Sequence, residues 1–111
     1  MGVTLLALYK GQPGTSNTTL YTAPANTRVH ILAASAVNDS TTATYFSVHM
    51  VPSGQAVGDE YLVVNRETLG SRESAPIVEL QGHVLEAGDF LSAIAETADT
   101  ITLQISGVSI A

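Results

Sequence analysis

The stretch that decides the fold runs from Leu85-Glu86-Ala87-Gly88-Asp89-Phe90 to Ile101-Thr102-Leu103-Gln104-Ile105-Ser106-Gly107-Val108. Its first part has the composition of a tight turn, with a glycine where a positive φ costs little. Its second part alternates apolar and polar residues, which is the pattern of a half-buried strand. We expect the carboxylate of Asp89 to accept backbone N–H groups within the turn. The stretch therefore predicts a tight turn leading into two β-strands.

The same pattern recurs along the whole chain, as short runs rich in Val, Ile, Leu and Thr separated by breaks that contain Gly, Pro, Asn or Asp. A strand with one apolar face needs a second layer to cover that face. The sequence therefore predicts a single all-β domain over residues 1–111, an antiparallel, jelly-roll-like β-sandwich of about eight strands. The predicted strands lie near residues 3–9, 18–22, 28–37, 43–51, 60–65, 76–80, 90–96 and 100–109.

Three segments fit this pattern less simply. Residues 58–64 open with a possible helical turn, capped by Asp59, before they become extended. Residues 91–96 contain good helix formers, but the tight turn before them and the clear strand after them favour a strand. Residues 65–75 carry both signs of charge without a strong period, so we expect an exposed loop that is available for a partner contact. The candidate contact residues in this loop are Arg66, Glu67, Arg72 and Glu73.

Charge is scarce, because only 13% of the residues are Asp, Glu, Lys or Arg, against about 25% in ordinary domains. A large neutral surface suits permanent contact with other subunits. The formal charge of −6, with only four basic residues, argues against nucleic acid as a partner. The apolar run at residues 5–8 is too short for a signal peptide or a membrane span. We therefore expect a protein made in a cytoplasm, with no membrane partner.

No motif in the chain carries recognisable catalytic chemistry. The chain has no cysteine, so disulfides and cysteine-based zinc sites are excluded. Four carboxylates cluster in the sequence, but alternation and turns scatter their directions: Glu79, Glu86, Asp89 and Glu96. No nucleophile elbow or phosphate-binding glycine loop is present. We expect neither an enzyme nor a cofactor, and the absence of Trp also disfavours sugar binding.

Two metal-site interpretations stand beside simpler structural ones. His30 and His49 would be cross-strand neighbours if the strands at 28–37 and 43–51 formed a hairpin, although two outward-facing histidines are the simpler interpretation. The segment Asn38-Asp39-Ser40 offers oxygen ligands for calcium, but such residues are ordinary in a polar loop. His83 follows a glycine and is interpreted as a turn residue.

Several stretches resemble small β-sandwich proteins encoded in the structural modules of tailed bacteriophages. The resemblance lies in Tyr21-Thr22-Ala23-Pro24-Ala25-Asn26-Thr27, Asn38-Asp39-Ser40 and Val48-His49-Met50-Val51-Pro52-Ser53-Gly54, and in the Leu85–Ala93 and Ile105–Val108 stretches. It covers about residues 20–110. It implies a virion component, such as a capsid decoration (cement) protein or a head–tail or tail accessory subunit, and it brings no catalytic residues.

The first functional hypothesis is therefore a decoration protein that reinforces a particle lattice. Its partners would be the major capsid protein or tail subunits, together with sister copies in a homo-oligomer, for which a trimer is favoured. Residues 1–10 are a candidate edge strand or arm for strand addition, or else the first core strand. The candidate contact residues there are Leu5, Leu6, Leu8 and Tyr9.

The second hypothesis is a receptor- or carbohydrate-binding module associated with a tail or fibre. Under this hypothesis, sugar binding is expected to be lost when Tyr45 or Tyr61 is changed. A catalytic function is the least favoured, because no set of acids or nucleophiles converges in the sequence.

Overall fold

The computed structural model describes residues 2–111 and consists of strands joined by turns. The strands are β1 (Val3–Gly11), β2 (Thr18–Thr22), β3 (Arg28–Asn38), β4 (Thr44–Val51), β5 (Leu62–Leu69), β6 (Ser74–Pro76), β7 (Val84–Leu85), β8 (Phe90–Ala95) and β9 (Ile101–Ile110). Two single turns of 3₁₀ helix, at Asp59–Tyr61 and Val78–Leu80, are the helical elements of this part of the chain. The all-β prediction is confirmed.

The strands form two antiparallel sheets. Sheet A has the order β1-β9-β3-β6, with β7 also paired to β3, and sheet B has the order β2-β8-β4-β5. When β6 and β7 are counted as one interrupted strand, these orders become 1-8-3-6 and 2-7-4-5, the strand order of a jelly roll. The chain crosses between the sheets at nearly every connection, and β4–β5 is the one hairpin within sheet B. The jelly-roll-like β-sandwich is therefore confirmed.

Alternation along the strands places the core between the two sheets. On β4, Phe46 and Val48 point inward and are fully buried, whereas Tyr45 is half-buried on the outer face. Replacing a buried phenylalanine of this kind with alanine typically lowers the free energy of unfolding by about 3–5 kcal/mol. The largest fully buried side chains are Phe46, Ile31, Leu80, Leu85, Leu91, Ile101, Leu103, Ile105, Val29, Val48, Val51 and Val64.

The turn at residues 86–89 agrees with its sequence pattern. Gly88 has φ +86°, and the Glu86 N–H donates to Asp89 Oδ2 at 3.0 Å. The other oxygen of the same carboxylate accepts from the Ser53 N–H at 3.0 Å. Asp89 is thus a turn residue that also ties the β4–β5 connection to β8.

The segment 65–75 corrects the sequence prediction, because most of it is strand. Residues 62–69 form β5 and residues 74–76 form β6, with a tight turn between them. The four polar residues at 65–68 are all exposed, since β5 is an edge strand. Backbone pairing with β4 continues the strand through these four polar residues, so hydrophobic periodicity does not reveal this part of it.

The strand predicted at 76–80 is also wrong beyond Pro76. Leu80 is fully buried and Ile77 is 3% exposed, whereas Val78 is 60% exposed. Apolar residues three positions apart share one side of a 3₁₀ turn, and Val78–Leu80 adopts that turn. The helical turn considered at 58–64 is present at Asp59–Tyr61, but its cap position is Gly58 and not Asp59.

A fully buried asparagine joins the two sheets where β3 ends. The Asn38 amide Nδ2 donates to the carbonyl oxygens of Thr42 at 2.9 Å, Leu69 at 3.1 Å and Gly70 at 3.0 Å. Its Oδ1 accepts from the Ser40 N–H at 3.0 Å and from Ser40 Oγ at 2.7 Å. The side chain is therefore a structural junction, and its oxygen is already used by Ser40 and not free to bind calcium.

Candidate functional site

The outer face of sheet A is the most distinctive surface of the domain. Across its strands, Leu5 of β1 pairs with Val108 of β9, which pairs with His30 of β3. Beside this row, Val3 pairs with Ile110. Val3 and Leu5 are 67% and 76% exposed, and Val84 on β7 and Ile110 are also exposed. These aliphatic side chains form one patch, here called the apolar face: Val3, Leu5, Val84, Val108 and Ile110.

The apolar face lies on a sheet that contains no acidic residue. The chain has ten Asp and Glu residues, yet none lies in β1, β3, β6, β7 or β9. The charges at its border are Arg28, whose Nε lies 3.1 Å from Glu86 Oε2 on exposed side chains, and Lys10 on β1. A neutral face on a protein of charge −6 is suited to contact with another protein surface.

The four sheet edges differ in how far they are protected from further strand pairing. The edge strand β5 contains a bulge and charged residues, β6 has three residues ending in Pro76, and β2 has five residues with a bulge. These are ordinary ways to prevent edge-to-edge association. In contrast, β1 has nine residues, its bulge lies between Ala7 and Tyr9, and its first five residues pair with β9 without interruption and carry neither charge nor proline. The open edge of the sandwich is therefore β1, beside the apolar face.

The predicted N-terminal contact residues separate into two groups. Leu5 is exposed, but Leu8 is 6% exposed and belongs to the core, while Leu6 and Tyr9 pack partly against the core. Burial raises the pKa of the Tyr9 hydroxyl above its ordinary value. Leu8 faces the core by alternation with the exposed Leu5 and Ala7, and the bulge between Ala7 and Tyr9 brings Tyr9 to the inner face as well. Leu8 is therefore not available as a contact residue.

The four charged candidates do not form one surface. The Arg72 Nη1 lies 3.4 Å from Asp39 Oδ1, and Glu73 Oε1 accepts from the Gly70 N–H at 2.7 Å. Arg72 and Glu73 thus hold the β5–β6 turn to its surroundings. Arg66 and Glu67 lie on β5. Of these two residues, Arg66 is part of a different site, on the other sheet from the apolar face.

That different site is a polar groove of about 670 Å³ on the outer face of sheet B. Ligand pockets commonly have volumes of about 300–1,000 Å³. We call it the sheet-B groove. Its lining comes from β4, β5, β8 and the connections beside them: Thr15, Asn17, Tyr45, Ser47, His49, Val57, Gly58, Asp59, Leu62, Asn65, Arg66, Ile94, Ala95 and Glu96.

A bulge in β5 directs Arg66 into the groove. The β4–β5 register shifts between Phe46 and Val48, and the Arg66 N–H donates to Ser47 Oγ at 2.9 Å. Arg66 has φ +50°, and its guanidinium lies 5.5 Å from the centroid of the Tyr45 ring. Bulges of this kind often re-aim a side chain. The guanidinium forms no ion pair with any residue of the 2–111 range.

Two buried polar atoms beside the groove lack partners. His49 and Ser92 are opposite each other on β4 and β8, and they are 5% and 1% exposed. The His49 Nδ1 and Ser92 Oγ atoms have no hydrogen-bond partner among residues 2–111. Buried polar groups are nearly always hydrogen-bonded, so each exception calls for an explanation.

The histidine-pair interpretation is wrong, because β3 and β4 lie in different sheets and do not form a hairpin. His30 lies on sheet A and His49 on sheet B, on opposite sides of the sandwich. In the described part of the chain, no three His, Asp or Glu side chains converge as metal ligands. His83 lies in a turn, after Gly82 with φ +87°.

Two features of these surfaces were missed at the sequence level. In β9, Ile101, Leu103 and Ile105 point inward, whereas Val108 and Ile110 point outward. The apolar residues change phase at Gly107, and this change was the available signal for an exposed apolar face. The sheet-B groove had no comparable signal, since its residues come from four separate stretches, at 15–17, 45–49, 57–66 and 94–96.

No protein-family model matches the chain, and comparison with curated proteins and with solved structures finds no match. Within residues 2–111, no helix is long and apolar enough to cross a membrane. Any functional conclusion therefore depends on the surfaces described above.

Proposed function

We propose that the chain is a structural protein of a bacteriophage virion, a decoration protein that reinforces the particle lattice and assembles as a homo-oligomer, with a trimer favoured. The observation that carries this proposal is the acid-free apolar face of sheet A, which ends at the unprotected edge of β1. Jelly rolls recur in viral capsid proteins, but fold alone does not define function. The proposal therefore depends on the surface.

The apolar face exposes aliphatic side chains whose burial against sister copies would be favourable. Burying one exposed Leu or Val contributes about 1.5–3 kcal/mol, and Leu5 and Val3 are the most exposed of these side chains.

The edge of β1 supports a second contact, with a lattice subunit such as the major capsid protein or a tail subunit. Its free N–H and C=O groups can pair with an extended segment of that subunit, which is a common mode of recognition. One surface would then serve the oligomer and the adjoining edge would serve the lattice. Many copies would bridge neighbouring subunits, each with a modest buried area.

The variant that tests this function carries Val3→Asp and Leu5→Asp. Both side chains are mostly exposed within one chain, so we expect the domain to keep its β-sheet circular-dichroism spectrum and to lose binding to particles at least tenfold. The measurement is co-sedimentation with purified phage heads, and separately tails, assembled without this protein. Heads and tails distinguish the two possible lattices.

Gln55→Asp is the matched control, because it adds one carboxylate at an exposed position in the β4–β5 connection. It should bind particles as the unmodified protein does. Deleting residues 1–10 is a poorer test, since it also removes Leu8 from the core. If the unmodified chain binds neither heads nor tails, or if the double variant binds as well as the control, the proposed function is wrong.

A further inference from the structure

We propose that the sheet-B groove binds a neutral saccharide through Arg66, Tyr45 and His49. The groove lies on the sheet opposite the apolar face. The proposal therefore concerns a second function of the domain, and it can fail without affecting the assembly proposal.

The backbone at Arg66 is the first argument for a binding role. A residue other than glycine in the left-handed region costs of order 1 kcal/mol, and Arg66 has φ +50° at the bulge. Glycine would relieve that cost. The arginine forms no ion pair within residues 2–111, so no salt bridge of its side chain offsets the backbone strain. Retaining arginine there is explained if its guanidinium binds a ligand.

The second argument is the unpartnered imidazole. His49 lines the groove, is 5% exposed and leaves Nδ1 without a partner in the described chain. The Nδ1 atom is closed to solvent, so a ligand hydroxyl can satisfy it, in either tautomer, only when the imidazole turns toward the groove. The cost of an unmade buried hydrogen bond would then be removed on binding.

The charges of the groove indicate the class of ligand. One cation, Arg66, and two carboxylates, Asp59 and Glu96, line it. An anionic ligand would meet the two carboxylates, and a cationic ligand would meet the guanidinium that is stacked on Tyr45. Hydroxyl groups satisfy both signs, since they donate to carboxylates and accept from arginine. A polyhydroxylated, uncharged molecule is the chemistry that fits, and saccharides supply it.

The groove also contains apolar surface for the C–H faces of a sugar ring. Tyr45 supplies an aromatic wall, and Val57, Leu62 and Ile94 lie nearby. Pockets that combine such surface with a few fixed polar groups are typical of small-molecule sites. Tyr61 does not line the groove, so of the two tyrosines predicted from the sequence only Tyr45 is assigned to the site.

The test is NMR titration of the ¹⁵N-labelled full chain with maltotriose, chitotriose and lactose, and with trigalacturonate as an acidic probe of similar size. We expect at least one neutral sugar to bind with a Kd near 1 mM, about −4.1 kcal/mol. The shifted amides should include Ser47, His49 and Ile94.

Arg66→Gly separates binding from stability. It removes the guanidinium and the backbone strain together, so the protein should be at least as stable as before, while sugar binding falls about tenfold or more. Tyr45→Ala and His49→Leu should also weaken binding. Tyr61→Ala is the matched control and should leave binding unchanged.

Three outcomes would overturn the proposal. They are no shifts with any neutral sugar of the panel, shifts confined to residues outside the groove, and binding of trigalacturonate alone. Equal binding by the Arg66→Gly variant and the unmodified protein would also contradict it, because that variant keeps the fold.

Discussion

Gly107→Ala is expected to lower the free energy of unfolding by about 4 kcal/mol or more, which is exceptional for the addition of one methyl group. A Cβ at this position would overlap with the carbonyl oxygen of His30 and press on Leu8 Cδ1 at 3.3 Å. The obstacle is backbone of the neighbouring strand, which cannot rotate away as a side chain can. The β3–β9 pairing must therefore open locally.

The matched control is Gly14→Ala, where a Cβ would meet Thr18 Oγ1 at 3.8 Å, an ordinary contact. We expect its effect to stay within about 1 kcal/mol. Both values come from denaturant unfolding at one fixed protein concentration, because assembly makes stability depend on concentration. A loss below about 1 kcal/mol for Gly107→Ala would show that β9 does not run this close to β3.

Asn38→Ala is expected to cost about 3–4 kcal/mol, since each buried carbonyl left without its donor costs about 1–3 kcal/mol. The amide serves the carbonyls of Thr42, Leu69 and Gly70, and two of these contacts tie β3 to the β5–β6 turn. Because Asn38 is fully buried, water cannot replace its amide at all three carbonyl oxygens in the alanine variant.

Asn38→Asp sharpens this prediction, because it keeps the size of the side chain but replaces the donating amide with an acceptor. We expect a loss at least as large as that of Asn38→Ala at neutral pH, and a smaller loss in acid, where the protonated carboxyl can donate once. Stability of this variant should therefore fall as pH rises. Asn17→Ala, at an exposed asparagine, is the control and should change little. A loss for Asn38→Ala no larger than the control's would contradict the junction.

The strands of the core were predictable because their periodicity records burial directly. In β4, and in β9 as far as Ile105, an apolar residue occurs at every second position, and both strands appear within one or two residues of their predicted bounds. The turn at Gly88 was predictable for a similar reason, since its backbone conformation requires a particular residue type. Local chemistry decides such elements.

Sheet membership was not predictable in the same way. The loop after Asn38 looks like a hairpin in the sequence, yet it crosses from sheet A to sheet B. A polar loop of this length is compatible with either path, and tertiary packing decides between them. The strand predicted near 60–65 is the first half of β5, whereas the second half escaped prediction because its exposed polar residues leave no hydrophobic pattern.

The candidate surfaces could be predicted only in part. Exposed Leu5 was identified as a contact residue, but Leu8 was placed in the same group although strand alternation puts the two on opposite faces of β1. The apolar face depends on the strand register, because Leu5 and Val108 are neighbours in the sheet but lie far apart in the sequence. The sheet-B groove likewise depends on the bulge that directs Arg66 toward Tyr45.

The most direct measurement of the central claim is the solution mass of the unmodified protein, by light scattering across a range of concentrations. The chain has a mass of 11.5 kDa. If sister copies cover the apolar face in the favoured trimer, the measured mass should be three times this value. A measured mass equal to that of one chain at every concentration would contradict the proposal that sister copies bind one another through this face.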